Sequence, residues 1–355
     1  MDRIRRGTAV CITLIGLMLS NAHADIVIDT SLDGGFFTQN PMALTALNAA
    51  ASDLNALIDF NLGAVDGAPL VGTDQGTTAT FDFSYSIRNP TTDATVTFND
   101  TALPAGEVRI FAGARNIGGN TLGRGGPGGA GFSATGSSNG TGTFQNAIND
   151  AIANSTLRRG GGPVIGNLNR TFNSGETASF DYGPAYGSVY FDNDTNNDGM
   201  TDTAAELNAS WNFDVNQTSF PGQDDFYSVA LHEMTHALGF GISETWDDLV
   251  APNGTDWLGS EVISLLGSGA GLINDDHIAD GFMSVSLETG LSQEPLMNDS
   301  ILRGTRKSLT QLDAAFLRDL GYSTTVTAVP EPGSMMLTSV ALGGIAYRRR
   351  RRSKG

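Results

Sequence analysis

The sequence predicts an α+β fold. Several short segments alternate apolar and polar residues with the period of a strand. Several longer ones repeat their apolar residues at the spacing of a helix. A buried core is within reach as well, since 40% of the 355 residues are apolar and only 16% are charged.

Asp25–Asp29 alternates and opens the domain as a strand. Pro41 suits the first position of a helix, and Leu44, Leu47, Ala51, Leu54 and Ile58 continue at helical spacing before Gly63. Phe81, Phe83, Tyr85 and Ile87 alternate with Asp82, Ser84 and Ser86 as a half-buried strand, and Val108–Ala112 forms another. Between residues 113 and 142 Gly, Ser, Asn and Thr dominate, which predicts a long flexible loop or a set of tight turns. Its glycines lack the Lys-Ser/Thr ending of a P-loop, which argues against nucleotide binding. Phe144, Ile148 and Ile152 mark a short helix, and a second glycine cluster follows at Gly160–Gly162. Gly187–Asp192 is a strand. Asp224 or Asp225 caps a helix running to about Phe240, and residues 241–300 are looser. Ser308 or Thr310 caps a last helix through Leu320, ended by Gly321.

Both ends are expected to be addresses and not fold. Arg3, Arg5 and Arg6, the apolar stretch Thr8–Leu19 and the small-residue site Ala22-His23-Ala24 predict a cleaved signal peptide over residues 1–24. At the other end Val329-Pro330-Glu331-Pro332 precedes an apolar run, Met335–Tyr347, and the block Arg348–Arg352. That layout closely resembles the PEP-CTERM sorting tail of Gram-negative bacteria. The resemblance implies an exosortase-type partner, only transient membrane contact through residues 330–355, and a secreted, cell-surface or matrix location. The domain expected between these ends is residues 25–329.

The charge of that domain is more extreme than the formal −18 of the whole chain. Nine of the twenty basic residues sit in the two end segments, so residues 25–329 keep 11 basic against 36 acidic side chains. Such acidity argues against nucleic acid as a partner. The one cysteine, Cys11, lies in the signal segment, which excludes a disulfide framework and a cysteine-rich zinc finger.

The chemistry is concentrated at His232-Glu233-Met234-Thr235-His236, an H-E-x-x-H motif on a predicted helix. Four residues is just over one turn, so His232 and His236 share a face and can hold one zinc ion. Leu231, Met234 and Leu238 form an apolar stripe on a different side, which leaves the histidines free for that task. Glu233 is turned by one residue, so it addresses a water at the open coordination position and acts as general base. A third ligand is needed. His277 is the favoured choice, and Asp275, Asp276 and Glu244 compete with it.

Gly239, three residues after His236, resembles the start of the metzincin motif H-E-x-x-H-x-x-G-x-x-H, although position 242 is Ile242 and not histidine. The stretch His232–Phe240 resembles the leishmanolysin-like version, in which an insert precedes the last ligand; that likeness makes His277 the delayed ligand. Glu294-Pro295-Leu296-Met297-Asn298 looks like the Met-turn, with Met297 beneath the metal. Leu309–Asp313 with Leu317, Leu320 and Gly321-Tyr322 is similar to the closing helix of matrixins. Gly187–Asp192 with Trp211 resembles their edge strand and acidic turn, a strand that pairs with extended substrate in that family. The resemblance covers about residues 190–322. It implies a zincin/metzincin-like fold, with a twisted mixed sheet, two long helices and an irregular C-terminal subdomain. It also implies a secreted zinc endopeptidase; with Cys11 the one cysteine, the cysteine-switch latency of matrixins is excluded.

A second metal, calcium, is expected at an EF-hand-like loop. Asp194, Asn196, Asp198 and Asp202 supply side-chain oxygens, Gly199 the sharp turn and Met200 a carbonyl. The usual acid at the twelfth position is replaced by Ala205, and Asp192 can contribute instead, because matrixins bind calcium near the matching turn. The main alternative is a non-catalytic, metal-stabilised surface or matrix protein. A zinc hydrolase acting on polysaccharide ranks last, for want of a Trp/Tyr platform.

Overall fold

The computed structural model describes residues 25–99 and 101–325, so both the expected signal peptide and the sorting tail lie outside the described residues. In chain order, β1 (Ile26–Asp29) leads into α1 (Pro41–Leu57), which Pro41 opens as expected. β2 (Leu70–Asp74), β3 (Thr77–Arg88) and β4 (Thr95–Asn99) form an antiparallel run. β5 (Val108–Arg115), β6 (Gly123–Pro127) and β7 (Gly129–Ser138) follow, then α2 (Phe144–Ala153), the hairpin β8 (Gly166–Thr171) with β9 (Thr177–Tyr182), and β10 (Tyr186–Asp192). The second half carries α3 (Phe226–Ala237), the two-residue hairpin β11 (Ile273–Asn274) with β12 (His277–Ile278), and α4 (Gln311–Asp319). The α+β class therefore holds. No helix among the described residues is long and apolar enough to cross a membrane.

The central sheet is mixed, in the order β1-β5-β10-β6. The first three strands are parallel and β6 pairs antiparallel with β10. Successive residues of a strand point to opposite faces, and β5 uses both. Val108, Ile110, Ala112 and Ala114 join the core under α1 and α3. Phe111 faces the other way with Tyr186, and both stack on Phe98 of β4, at 5.1 and 5.3 Å between ring centres. The second sheet, in which β3 pairs with β2, β4 and β7, thus covers the face opposite the helices. The result is three layers, α1 with α3, the central sheet and the second sheet, and α2 packs against the second sheet.

Two expectations are corrected. The glycine-rich stretch 113–142 is not a loop throughout, because β6 and β7 occupy half of it. Close packing selects glycine there. A Cβ at Gly125 would lie 2.0 Å from the Glu233 carbonyl oxygen, and one at Gly123 would lie 2.9 Å from Val229 Cγ1. The strand over 187–192 is not at an edge either. β10 has partners on both sides, and β6 is the free edge next to it.

α3 starts where Asp225 accepts from the Ser228 backbone N–H at 3.2 Å. That carboxylate is fully buried and forms a two-point pair with Arg306, at 2.8 and 2.9 Å, plus a bond from Asn212 at 2.9 Å. The pair ties the helix start to the segment before α4. Asp225→Ala leaves the Arg306 guanidinium uncompensated and removes the helix cap. It should lower the unfolding free energy by about 3–5 kcal/mol, read as a shifted urea midpoint; a midpoint within error of wild type would contradict this role.

Candidate metal centre

α3 presents His232 and His236 one turn apart, and the β11–β12 hairpin brings His277 against them. Their Nε2 atoms lie 3.1 Å apart for His232–His277, 3.1 Å for His232–His236 and 3.2 Å for His236–His277. Among the described residues this is the one group of three or more His, Cys or acidic side chains whose ligand atoms converge within 4.8 Å.

Each ring is oriented through its other nitrogen. His232 Nδ1 donates to the Leu296 carbonyl at 3.0 Å, His236 Nδ1 to the Phe240 carbonyl at 2.9 Å, and His277 Nδ1 to the Asp276 carboxylate at 2.6 Å. None of these oxygens can donate, so the proton sits on Nδ1 in all three rings and the Nε2 lone pairs face one another. Burial holds His236 down to about 4 and His232 well below the usual imidazole range, with the neighbouring histidines adding to the latter shift. Three converging lone pairs repel unless a cation sits among them. Tetrahedral ligands at the usual Zn–N length are about 3.3 Å apart, so the donor set fits zinc.

Local chain geometry explains the placement. Gly239 ends the helical turn at φ +101°, a conformation L-residues rarely adopt, and the chain then bends so that the Phe240 carbonyl returns to His236. Asp313, buried in α4, accepts from the Leu296 and Met297 backbone N–H groups at 3.0 and 3.1 Å. It thereby steadies the turn whose Leu296 carbonyl holds His232. Met297 itself is fully buried. Of the rival third ligands, Asp276 instead orients His277, with its carboxyl held down to about 2 by that bond. Asp275 takes the tight turn between β11 and β12 at φ +54°. Glu244 begins a short helix at Glu244–Leu249.

Glu233 lines the same cleft as the three histidines, a space of about 440 Å³. Burial pushes its carboxyl up to about 8, and a bond from the Gly125 N–H acts the other way. Gly123 and Gly125 of β6 form the adjoining wall. Sequence reasoning missed that wall and Lys307; it weighs Asp276 as a ligand and not as the acceptor behind His277, and places Asp313 in the last helix without its bonds to the Leu296 and Met297 N–H groups.

The acidic turn after β10 is built differently from a ready cation cage. Asp194 accepts from the Asp198 and Gly199 backbone N–H groups at 3.0 and 2.9 Å and from the Asn116 amide. Asn196 accepts from the Asp198 N–H and Asp198 from the Met200 N–H, each at 2.9 Å. Asp202 accepts from Thr195, and Asp192 from the Ile117 N–H at 3.1 Å. Trp211 donates its indole N–H to the Asp192 carbonyl at 3.2 Å. The calcium expectation keeps two supports, the buried and unpartnered oxygens Asn193 Oδ1 and Asp202 Oδ1.

Replacing Asp276 by Asn weakens the acceptor behind His277 and should reduce zinc affinity by about 10–100-fold, read by competition with a chelating dye. Unchanged affinity would mean that the hairpin alone positions the ring. Comparison of the chain with protein-family models, curated proteins and solved structures finds no match.

Proposed function

We propose that the protein is a zinc-dependent endopeptidase, secreted and metzincin-like. One observation carries the reading: three imidazoles with every Nδ1 committed and every Nε2 converging, in a cleft that also holds a buried carboxylate. A purely structural metal site is closed by four protein ligands, whereas three ligands and an open position are the catalytic pattern. The resemblance of His232–Gly239 to the metzincin motif points the same way.

Zinc, when bound, supplies a Lewis acid that polarises a carbonyl and makes water more acidic. The rest falls to this chain. Glu233 takes a proton from the attacking water and delivers it to the leaving amine. Burial favours its protonated state and a nearby dication favours the ionised one, so the two together poise it for transfer in both directions. Its carbonyl and carboxylate are packed against β6, which fixes its distance from the cleft wall. The free side of β6 offers backbone donors and acceptors to an extended peptide, replacing the role expected of residues 187–192.

Glu233→Gln should retain zinc at wild-type stoichiometry by mass spectrometry yet lose about 10²–10⁴-fold in peptide hydrolysis. A chelator should abolish wild-type cleavage, and added zinc should restore it. Normal turnover by the Gln variant would sink the mechanism.

A further inference from the structure

The cleft is far less one-sided in charge than the chain. Residues 25–329 carry 11 basic and 36 acidic side chains, yet two of the eleven, Arg124 and Lys307, line the cleft. Its acids are Glu233, Asp276 and Asp299. Asp276 is engaged by His277 and Glu233 faces the Gly125 N–H. Asp299 is exposed, where water and salt screen it.

Lys307 is unusual because its ammonium is not in solvent: the side chain is 10% exposed. Nζ donates to the Ser300 carbonyl at 2.6 Å, pairs with Glu294 at 3.0 Å and reaches Asn298 Oδ1 only at 3.3 Å. Glu294 is 41% exposed and does not line the cleft, so the one counter-charge lies on the outside. On the cleft side the ammonium meets only neutral oxygens. Ser228 and Asn298, both buried, and Ser300 complete a small polar flank. That flank abuts the histidines, since Ser228 lies one turn before His232 on α3 and Leu296, which holds His232, also lines it.

We propose that this flank receives an acidic side chain of the peptide substrate, next to the bond that is cut, and that Lys307 is the specificity-determining residue. The proposal rests on the endopeptidase reading. An aspartate or glutamate carboxylate would take the place of the long Asn298 contact and give the ammonium a charged acceptor on the cleft side. An apolar side chain would offer the ammonium no acceptor, and a basic one would meet like charge.

Two measurements test this on the zinc-loaded protein. The first profiles cleavage of a peptide library by mass spectrometry. The second compares, by calorimetry, two peptide hydroxamates that differ only in carrying Glu or Leu beside the metal-binding group. Acidic residues should be preferred at one position flanking the cut, and the Glu hydroxamate should bind more tightly, by on the order of tenfold or more. Lys307→Met should erase both preferences and Lys307→Arg should keep them. Apolar or basic preference in the wild type overturns the proposal. So does a Lys307→Met variant that loses affinity equally for both hydroxamates, since Lys307 is then only a strut between the 294–300 turn and the segment before α4. Should the protein hold one zinc per chain and cut no peptide, the endopeptidase reading itself fails and this inference falls with it. Cleavage without acidic preference overturns this inference alone.

Discussion

Three imidazole nitrogens within 3.2 Å of one another, each presenting a lone pair, cannot be left to side-chain chance. Each ring must be held against the repulsion of the other two, and a separate acceptor does this in each case. Two of the acceptors are backbone carbonyls, Leu296 and Phe240, and such carbonyls point correctly only if their turns are rigid. Much of the second half of the fold serves that need. Gly239 bends the chain to aim one carbonyl, and buried Asp313 pins the turn that supplies the other. Asp313 is also the third residue of α4, in a reciprocal cap with Thr310. A single buried carboxylate therefore couples the start of the last helix to the orientation of His232. Its burial is tolerable because hydrogen-bond donors meet it from both directions.

The same economy governs the other wall of the cleft. β6 must sit close enough to α3 to give Glu233 a dry setting, and it does so by having no side chains at 123 and 125. The raised proton affinity of Glu233 thus follows from glycine placement on β6, the strand next to β10 in the sheet. The strand that carries this burden is the sheet's free edge, so the closest packing and the exposed backbone groups belong to one short segment.

What was legible in the sequence depended on whether the signal was local. The helical spacing from Leu44 to Leu54, the alternation around Phe81–Ile87 and the caps at Asp225 and Thr310 are written within one or two turns, and all appear where expected. His232, Glu233 and His236 were legible for the same reason. His277 was reachable by scarcity, since only three histidines lie beyond residue 24. The strands at 123–138 were illegible because composition there reports on contacts with α3 and β3, not on local preference. Lys307 was equally opaque. A lone lysine before a helix reads as solvated surface until the 294–300 turn is folded over it. The family resemblance points to residues 187–192 as the edge strand, whereas the edge is β6, whose glycines leave few side chains to read.

The distance of His277 from its partners in the chain calls for a physical account. It follows His236 by 41 residues, where the shorter motif would place the third ligand at position 242. Loop closure grows only with the logarithm of length, so this delay costs no more than about 2 kcal/mol. The intervening chain offsets that cost with apolar burial. Trp246 and Trp257 lie 4.7 Å apart between ring centres and pack with Phe240 and Phe316 into one buried cluster joining the insert to α4. Full burial of one such aromatic side chain contributes about 1.5–3 kcal/mol, so the cluster outweighs the closure term. Ile278 then anchors the hairpin through a bond from its N–H to the Met297 carbonyl at 2.9 Å. The hairpin, not the helix, thereby sets the third nitrogen. Ile242 lines the cleft at the position of the shorter motif's histidine, with 44% of its surface exposed.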